Sequence, residues 1–287
     1  MVEVTKDILK NIYKERPKDS KKYDFGLLIV IGGSEFYSGS PALSAMAAFK
    51  AGVDMVRIIA PKRAADIIAS FSPNLAAYPL EGAYLTKKQL AILISMTESA
   101  KVVARGNTAV VIGGGMGRSE ETKRAILEYL EKVQVPVVID TDAIHALSEK
   151  LEIVSGKPFL ITPHTYEFFV LTGKEIYKLP EEEKIKMVQA EAQRLQTTIL
   201  LKGPTDIISD GKEVALSRGG SPWLTKGGCG DTLAGICGAL LARGCNPFNA
   251  ACAASLINKK AGEIATEKLK EGLLATDLIE AIPEVIG

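Results

Sequence analysis

The sequence predicts an open α/β sheet, mostly parallel, with helices on both faces and an antiparallel edge hairpin. Three observations predict it. Short apolar runs rich in β-branched residues recur along the chain, and longer amphipathic stretches separate them. Past Leu201 this alternation gives way to two short runs flanking Asp210-Gly211, then to two long helical patterns.

The strands come first. Leu27 to Ile31, Val53 to Ala60, Ala109 to Ile112, Pro136 to Asp140, Pro158 to Thr162 and Thr197 to Leu201 are near-continuous apolar runs. Such runs suit strands buried on both faces of a parallel sheet. Between them, Pro41 to Ala51, Pro61 to Ser70, Glu120 to Lys132 and Glu181 to Leu195 read as helices. Strand and helix in turn, repeated this often, make an α/β sheet. Ile207 to Ser209 and Val214 to Leu216 flank Asp210-Gly211, a pair that tolerates positive φ, and predict a hairpin with a two-residue turn. Helices follow over Asp231 to Arg243 and Pro247 to Lys270. No repeat or low-complexity linker divides the chain, so residues 1–287 are expected to form one domain.

Composition narrows the function classes. With 47% apolar residues the chain can bury a large core, which excludes disorder. The 35 basic and 34 acidic residues nearly cancel, so no nucleic-acid partner is expected. Lys18, Lys21 and Lys22 form a cluster too short to change this and read as a solvated face. Cys229, Cys237, Cys245 and Cys252 form no C-x-x-C pair, and the chain has two histidines, which argues against a structural zinc. They read as small buried thiols of a reducing compartment. No apolar run approaches the roughly twenty residues of a membrane span and no leader is apparent, so a cytoplasmic protein without membrane partners is expected.

The chemistry is expected in glycine-bearing loops at strand ends, where open α/β sheets bind ligands. Gly32-Gly33 through Gly39-Ser40-Pro41 joins a strand to a helix, and Gly113-Gly114-Gly115-Met116-Gly117 directly follows another strand. Each suits an anion approached by backbone N–H groups, and each equally suits tight packing. Arg118 breaks the dinucleotide spacing G-x-G-x-x-G, and no G-x-x-x-x-G-K-[ST] exists. The strongest local signal is Thr225-Lys226-Gly227-Gly228-Cys229-Gly230-Asp231-Thr232, a glycine cluster running into a helix whose first turn carries a carboxylate. Asp231 can be a plain cap. Beside an anion loop it can also take a proton from a hydroxyl that attacks a phosphoryl group.

Gly227 to Thr232 resembles the G-x-G-D signature of the ribokinase-like superfamily. Residues 30–58, 111–118, 137–147, 161–173 and 200–211 together resemble, in order, the loops of the NAD(P)H-hydrate dehydratases. The resemblance runs from about Asp24 to the last helix and implies a ribokinase-like fold without the epimerase domain fused in many members. It implies nucleotide-driven dehydration of hydrated NADH or NADPH: the ring hydroxyl is phosphorylated and phosphate is lost. By the same resemblance, Asp231 is the base and Gly227, Gly228, Cys229 and Gly230 form the anion hole. Ser40, Gly117, His164 and Asp231 contact the substrate, while Lys202, Gly203, Pro204, Thr205, Asp206 and Gly230 hold ADP or ATP. Glu167 takes the place of an acidic residue that helps organise Mg²⁺ in related kinases, and assembly into a homo-oligomer is implied. Members commonly have Ala at position 40, Gly-Pro-Gly-Leu-Gly over 113–117 and Ala-Thr at 225–226. Lys226 therefore adds a possible cation near the phosphates. His145 reads as structural, and Asp140 and Asp142 read as either caps or Mg²⁺-associated carboxylates. A kinase of the same superfamily, acting on a hydroxyethylthiazole, hydroxymethylpyrimidine or sugar, shares the G-x-G-D loop. A non-catalytic nucleotide sensor would lack Asp231.

Overall fold

The computed structural model describes all residues, Met1–Gly287. One ten-stranded sheet runs through it, in the order β1-β10-β9-β8-β7-β6-β5-β2-β3-β4. Its strands are β1 (Val2–Glu3), β2 (Leu27–Ile31), β3 (Met55–Pro61), β4 (Ala76–Leu80), β5 (Thr108–Ile112), β6 (Val137–Ile139), β7 (Phe159–Ile161), β8 (Thr198–Leu201), β9 (Asp206–Ser209) and β10 (Val214–Ser217). Only β9 runs against its neighbours; all other pairs are parallel. The mostly parallel sheet and the late antiparallel pair are as the sequence predicts.

Every residue of β2 and β5 is buried, and alternation along them builds two cores. Leu28, Val30, Ala109 and Val111 point to one face, against α2 (Gly39–Lys50), α3 (Lys62–Phe71), α9 (Cys229–Ala242), α10 (Pro247–Leu269) and α11 (Ala275–Ile286). Leu27, Ile29, Ile31, Val110 and Ile112 point to the other, against α4 (Leu90–Val103), α5 (Glu120–Lys132), α6 (Asp142–Leu147), α7 (Thr165–Thr172) and α8 (Glu181–Leu195). A short α1 (Asp7–Ile12) closes the first layer through Leu9. Each such aliphatic side chain contributes about 1.5–3 kcal/mol by leaving water.

Two features place the site. The chain leaves β2 toward β3 and leaves β5 toward β6, in opposite directions, so the loops after β2 and β5 flank the point where strand order reverses. Helix α9 also lies unusually close to the sheet and to α2. A Cβ on Gly235 would stand 2.1 Å from Ser44 O, and one on Gly238 would stand 2.4 Å from Val111 Cγ2. Only hydrogen fits at these positions, and that closeness carries the start of α9 to the start of α2.

One local expectation is corrected. Val214 pairs with Ser209, so the hairpin loop has four residues, Asp210 to Glu213. Asp210 Oδ1 accepts from Lys212 N at 2.9 Å and Glu213 N at 2.8 Å, a side-chain-closed turn in place of a tight two-residue one. The four cysteines carry free thiols, three of them buried. No helix is long and apolar enough to cross a membrane.

Candidate active site

Three loops meet around Asp231. Gly33 N donates to Gly114 O at 2.8 Å and joins the loops after β2 and β5. Ser40, buried in the first turn of α2, donates its hydroxyl to Asp231 Oδ1. One turn on, Ser44 Oγ donates to the backbone carbonyl of Asp231 at 3.0 Å. Gly114 closes the floor: a Cβ there would lie 1.8 Å from Ser40 Oγ and 3.2 Å from Asp231 Oδ1. Tyr37, which the sequence reading did not single out, covers Gly115 and forms a wall.

Helix α9, 14 residues long, has Gly228 at its start with φ 95°; Cys229 N donates to Lys226 O at 3.4 Å, and no side chain caps the N–H groups that follow. Lys202, at the end of β8, completes the positive end, since its Nζ is 3.7 Å from where a Cβ on Gly230 would sit. This ammonium is itself held by Asp140 Oδ1 at 2.9 Å and Glu167 Oε2 at 3.5 Å. Burial opposes its charge, but the Asp140 and Glu167 carboxylates outweigh that and keep its pKa above the ordinary value. Burial also pushes the Asp231 carboxyl up to about 6; the Ser40 hydrogen bond opposes this and the Asp140 charge adds to it. Asp231 is thus a carboxylate at neutral pH with raised proton affinity, which suits general-base work. Burial pushes the Cys229 thiol up to about 11, so it serves the loop's shape and not as a nucleophile.

Beyond Lys202, the segment 203–206 is fixed from below by α10. Lys259 Nζ donates to Gly203 O at 2.9 Å and Pro204 O at 3.0 Å, and Glu263 Oε1 accepts from Gly220 N at 2.7 Å. Asp206 accepts from Gly203 N at 2.9 Å and Ser255 Oγ at 2.6 Å and lies 3.4 Å from Lys259 Nζ. Its buried carboxylate therefore fixes the shape of the loop. Thr205 Oγ1 accepts from Arg218, a cation at the loop's outer side.

The remaining expected residues are fixed by loop and cap hydrogen bonds. Gly117 N donates to Asp142 Oδ2 at 2.9 Å, and Arg118 Nε to Asp142 Oδ1 at 2.7 Å, so Asp142 orders the second loop. His164 caps α7: its Nδ1 accepts from Tyr166 N and Glu167 N at 3.2 Å each, while its own N–H donates to Glu167 Oε2 at 2.8 Å. That places the proton on Nε2, 3.6 Å from Glu167 Oε1.

A family model described as NAD(P)H-hydrate dehydratase matches residues 28–284. The chain is 37% identical over 283 residues to the ADP-dependent (S)-NAD(P)H-hydrate dehydratase of Cenarchaeum symbiosum, covering 99% of this chain and 96% of that protein. The chain belongs to the NAD(P)H-hydrate dehydratase family. It is also 41% identical to the bifunctional NAD(P)H-hydrate repair enzyme Nnr of Pyrobaculum aerophilum, over 94% of this chain. It spans about half the length of that relative, at 52%. A ribokinase-like superfamily protein from Enterococcus faecalis matches the fold with a TM-score of 0.84 at 24% identity, covering 99% of this chain and 95% of that one.

In this member of the dehydratases the remaining charged side chains of the site are paired within the chain. No three His, Cys, Asp or Glu side chains are grouped to hold a metal. Glu167 bonds the His164 N–H and lies 3.5 Å from Lys202, and Asp140 bonds Lys202 and, at 2.8 Å, Thr162 Oγ1, so both carboxylates flank that ammonium. Lys226 Nζ donates to Glu271 O and ties the glycine loop to the end of α10. Sequence reading missed Arg218 and Lys259. The cation pair Lys259-Lys260, following the apolar stretch 250–257 of α10, was the signal for Lys259.

Proposed function

We propose that the chain dehydrates hydrated NADH and NADPH at the expense of ADP or ATP and restores the reduced cofactor. The observation that carries this is Asp231, a buried carboxylate raised to about 6, bonded to Ser40 at an uncapped helix start beside Lys202. The substrate hydroxyl enters between Ser40 and Asp231, and the terminal phosphate of the nucleotide faces Gly227 to Gly230. The hydroxyl oxygen attacks phosphorus and Asp231 takes its proton; the nucleotide leaves shortened by one phosphate. Charge building on the transferred oxygens meets the α9 N–H groups and Lys202. The C6–O bond then breaks, phosphate leaves with the electron pair, and a proton lost from C5 forms the C5–C6 double bond. Hydroxide is a poor leaving group and phosphate a good one, which is why a nucleotide is needed.

The nucleotide lies along Lys202 to Thr205, with Arg218 beside it. Mg²⁺ accompanying it would be held mainly by phosphate oxygens and water, as this ion usually is. Gly117 and His164 border the substrate. The same reading includes a homo-oligomer in the cytoplasm, and sedimentation velocity of the purified chain checks the first part. The decisive assay supplies hydrated NADH with ADP or ATP and follows both phosphate and phosphorylated product. Free phosphate equal to cofactor restored supports the dehydratase. A phosphorylated ring that accumulates without restoration would favour the kinase reading.

A further inference from the structure

At the mouth of the cleft, beyond His164, lies a cavity of about 350 Å³ lined by Thr165, Tyr166, Phe169, Glu175, Ile176 and Tyr177. That volume is within the roughly 300–1,000 Å³ usual for small-molecule sites. Its rings are unusually exposed: Tyr166 60%, Phe169 44% and Tyr177 71%. Clustered exposed aromatics mark a surface that something covers. Tyr166 is the hub, with ring centroids 6.4 Å from His164, 6.3 Å from His145 and 6.4 Å from Phe169.

The cavity is linked to the site by neighbouring side chains. Contacts run from Gly230 to Lys202, from Lys202 to Glu167, from Glu167 to His164, and from His164 to Tyr166. Arg118 borders the same mouth, spending Nε on Asp142 with its side chain 54% exposed. Thus a cation and two imidazoles stand on the way to an aromatic platform. Apart from its rings the cavity offers one charged group, the Glu175 carboxylate. Another cavity, about 700 Å³ beside Gly117 and Tyr84, is lined by Glu81, Ser119 and Glu121 with Lys88. Two carboxylates there oppose an anionic pyrophosphate, against the single Glu175 of the aromatic cavity.

We propose that the Tyr166–Phe169–Tyr177 cavity binds the adenosine half of the hydrated dinucleotide, its pyrophosphate crossing Arg118 and its ribose hydroxyls bonding Glu175. This rests on the dehydratase reading and extends it. The purine stacks on Tyr166 and Phe169, as bases do on exposed rings. A carboxylate accepts hydrogen bonds from a free ribose diol and repels a 2′-phosphate, so Glu175 favours hydrated NADH over hydrated NADPH.

The test compares hydrated NADH, hydrated NADPH and hydrated nicotinamide mononucleotide, which lacks the adenosine half. The full dinucleotide should show the lower KM in the wild type. Tyr166→Ala should raise KM for hydrated NADH about five- to hundred-fold, the worth of one stacked base, with kcat little changed. Tyr166→Phe should retain the wild-type value, and Glu175→Gln should narrow the gap between hydrated NADPH and NADH. Equal KM values for dinucleotide and mononucleotide in the wild type overturn the proposal. So does a KM loss on Tyr84→Ala that Tyr166→Ala lacks. Calorimetric binding of NADH and reduced nicotinamide mononucleotide, with ADP filling the nucleotide site, gives an arm independent of turnover. Tighter NADH binding lost in Tyr166→Ala supports the subsite even without dehydration, a result that would sink the dehydratase reading alone. Equal binding overturns the subsite and leaves that reading intact.

Discussion

Asp231 is held in a state that suits a proton acceptor and does not suit the folded chain. Its folded pKa of about 6 lies above its unfolded value near 3.8. A carboxyl raised in this way favours the fold while both states are protonated, and that contribution fades as pH climbs from about 4 through 6. By pH 7 the buried charge opposes folding by roughly 2–3 kcal/mol. Activity runs the other way, because the base must be ionised: kcat/KM should rise with pH to a half-point near 6 and then level. A profile flat between pH 5 and 7 would contradict the assignment. In the proposed reading His164 also serves twice. As the cap of α7 its loss should cost about 0.5–2 kcal/mol, and as a border of the substrate site its loss should raise KM. His164→Asn, which retains a capping side chain, should recover the melting temperature of His164→Ala without recovering KM. Recovery of both would leave only the cap. Asp231 was legible from its glycine-rich context. The cap made by His164 was not, because an imidazole acceptor at a helix start depends on a ring rotation that sequence does not encode.

Helices α2 and α9 act as one unit, since Ser40 and Asp231 meet only because their backbones approach at Gly235 and Ser44. Gly235→Ala should therefore destabilise the protein by about 1–3 kcal/mol and lower kcat by shifting Asp231 against Ser40. Gly272→Ala, in open space, should change neither. Unaltered melting and turnover in Gly235→Ala would show that the pairing tolerates a wider spacing. Most elements were legible because buried parallel strands leave long apolar runs; α5 and α8 have the bounds the pattern implies. Two of those missed have plain physical reasons. Strand β4 is a mostly exposed edge whose short run Ala76–Leu80 has no β-branched residue and carries Pro79, which reads against a strand. Helix α11 holds Pro283, which reads as a breaker.

The two cores share every central strand, so neither helical layer can fold without the sheet that also carries the other. We propose a single folding unit over residues 1–287. Calorimetry should give one unfolding transition whose calorimetric and van't Hoff enthalpies agree; two resolved transitions would divide the chain. The sheet also explains why the site was only partly legible. Residues 40, 114, 202 and 231 lie far apart in sequence and are brought together by strand order, which composition and spacing do not reveal. Separate motifs pointed to one site only through their joint resemblance to a family.

The central claim is that this convergence makes Asp231 the base of a nucleotide-dependent dehydration, and Asp231→Asn tests it most directly. Asn caps a helix about as well as Asp, so the fold and nucleotide binding should persist, with stability equal or higher at neutral pH. Restoration of hydrated NADH with ADP or ATP should fall on the order of a hundred- to ten-thousand-fold in kcat. Near-normal turnover in a correctly folded Asp231→Asn protein would contradict the account.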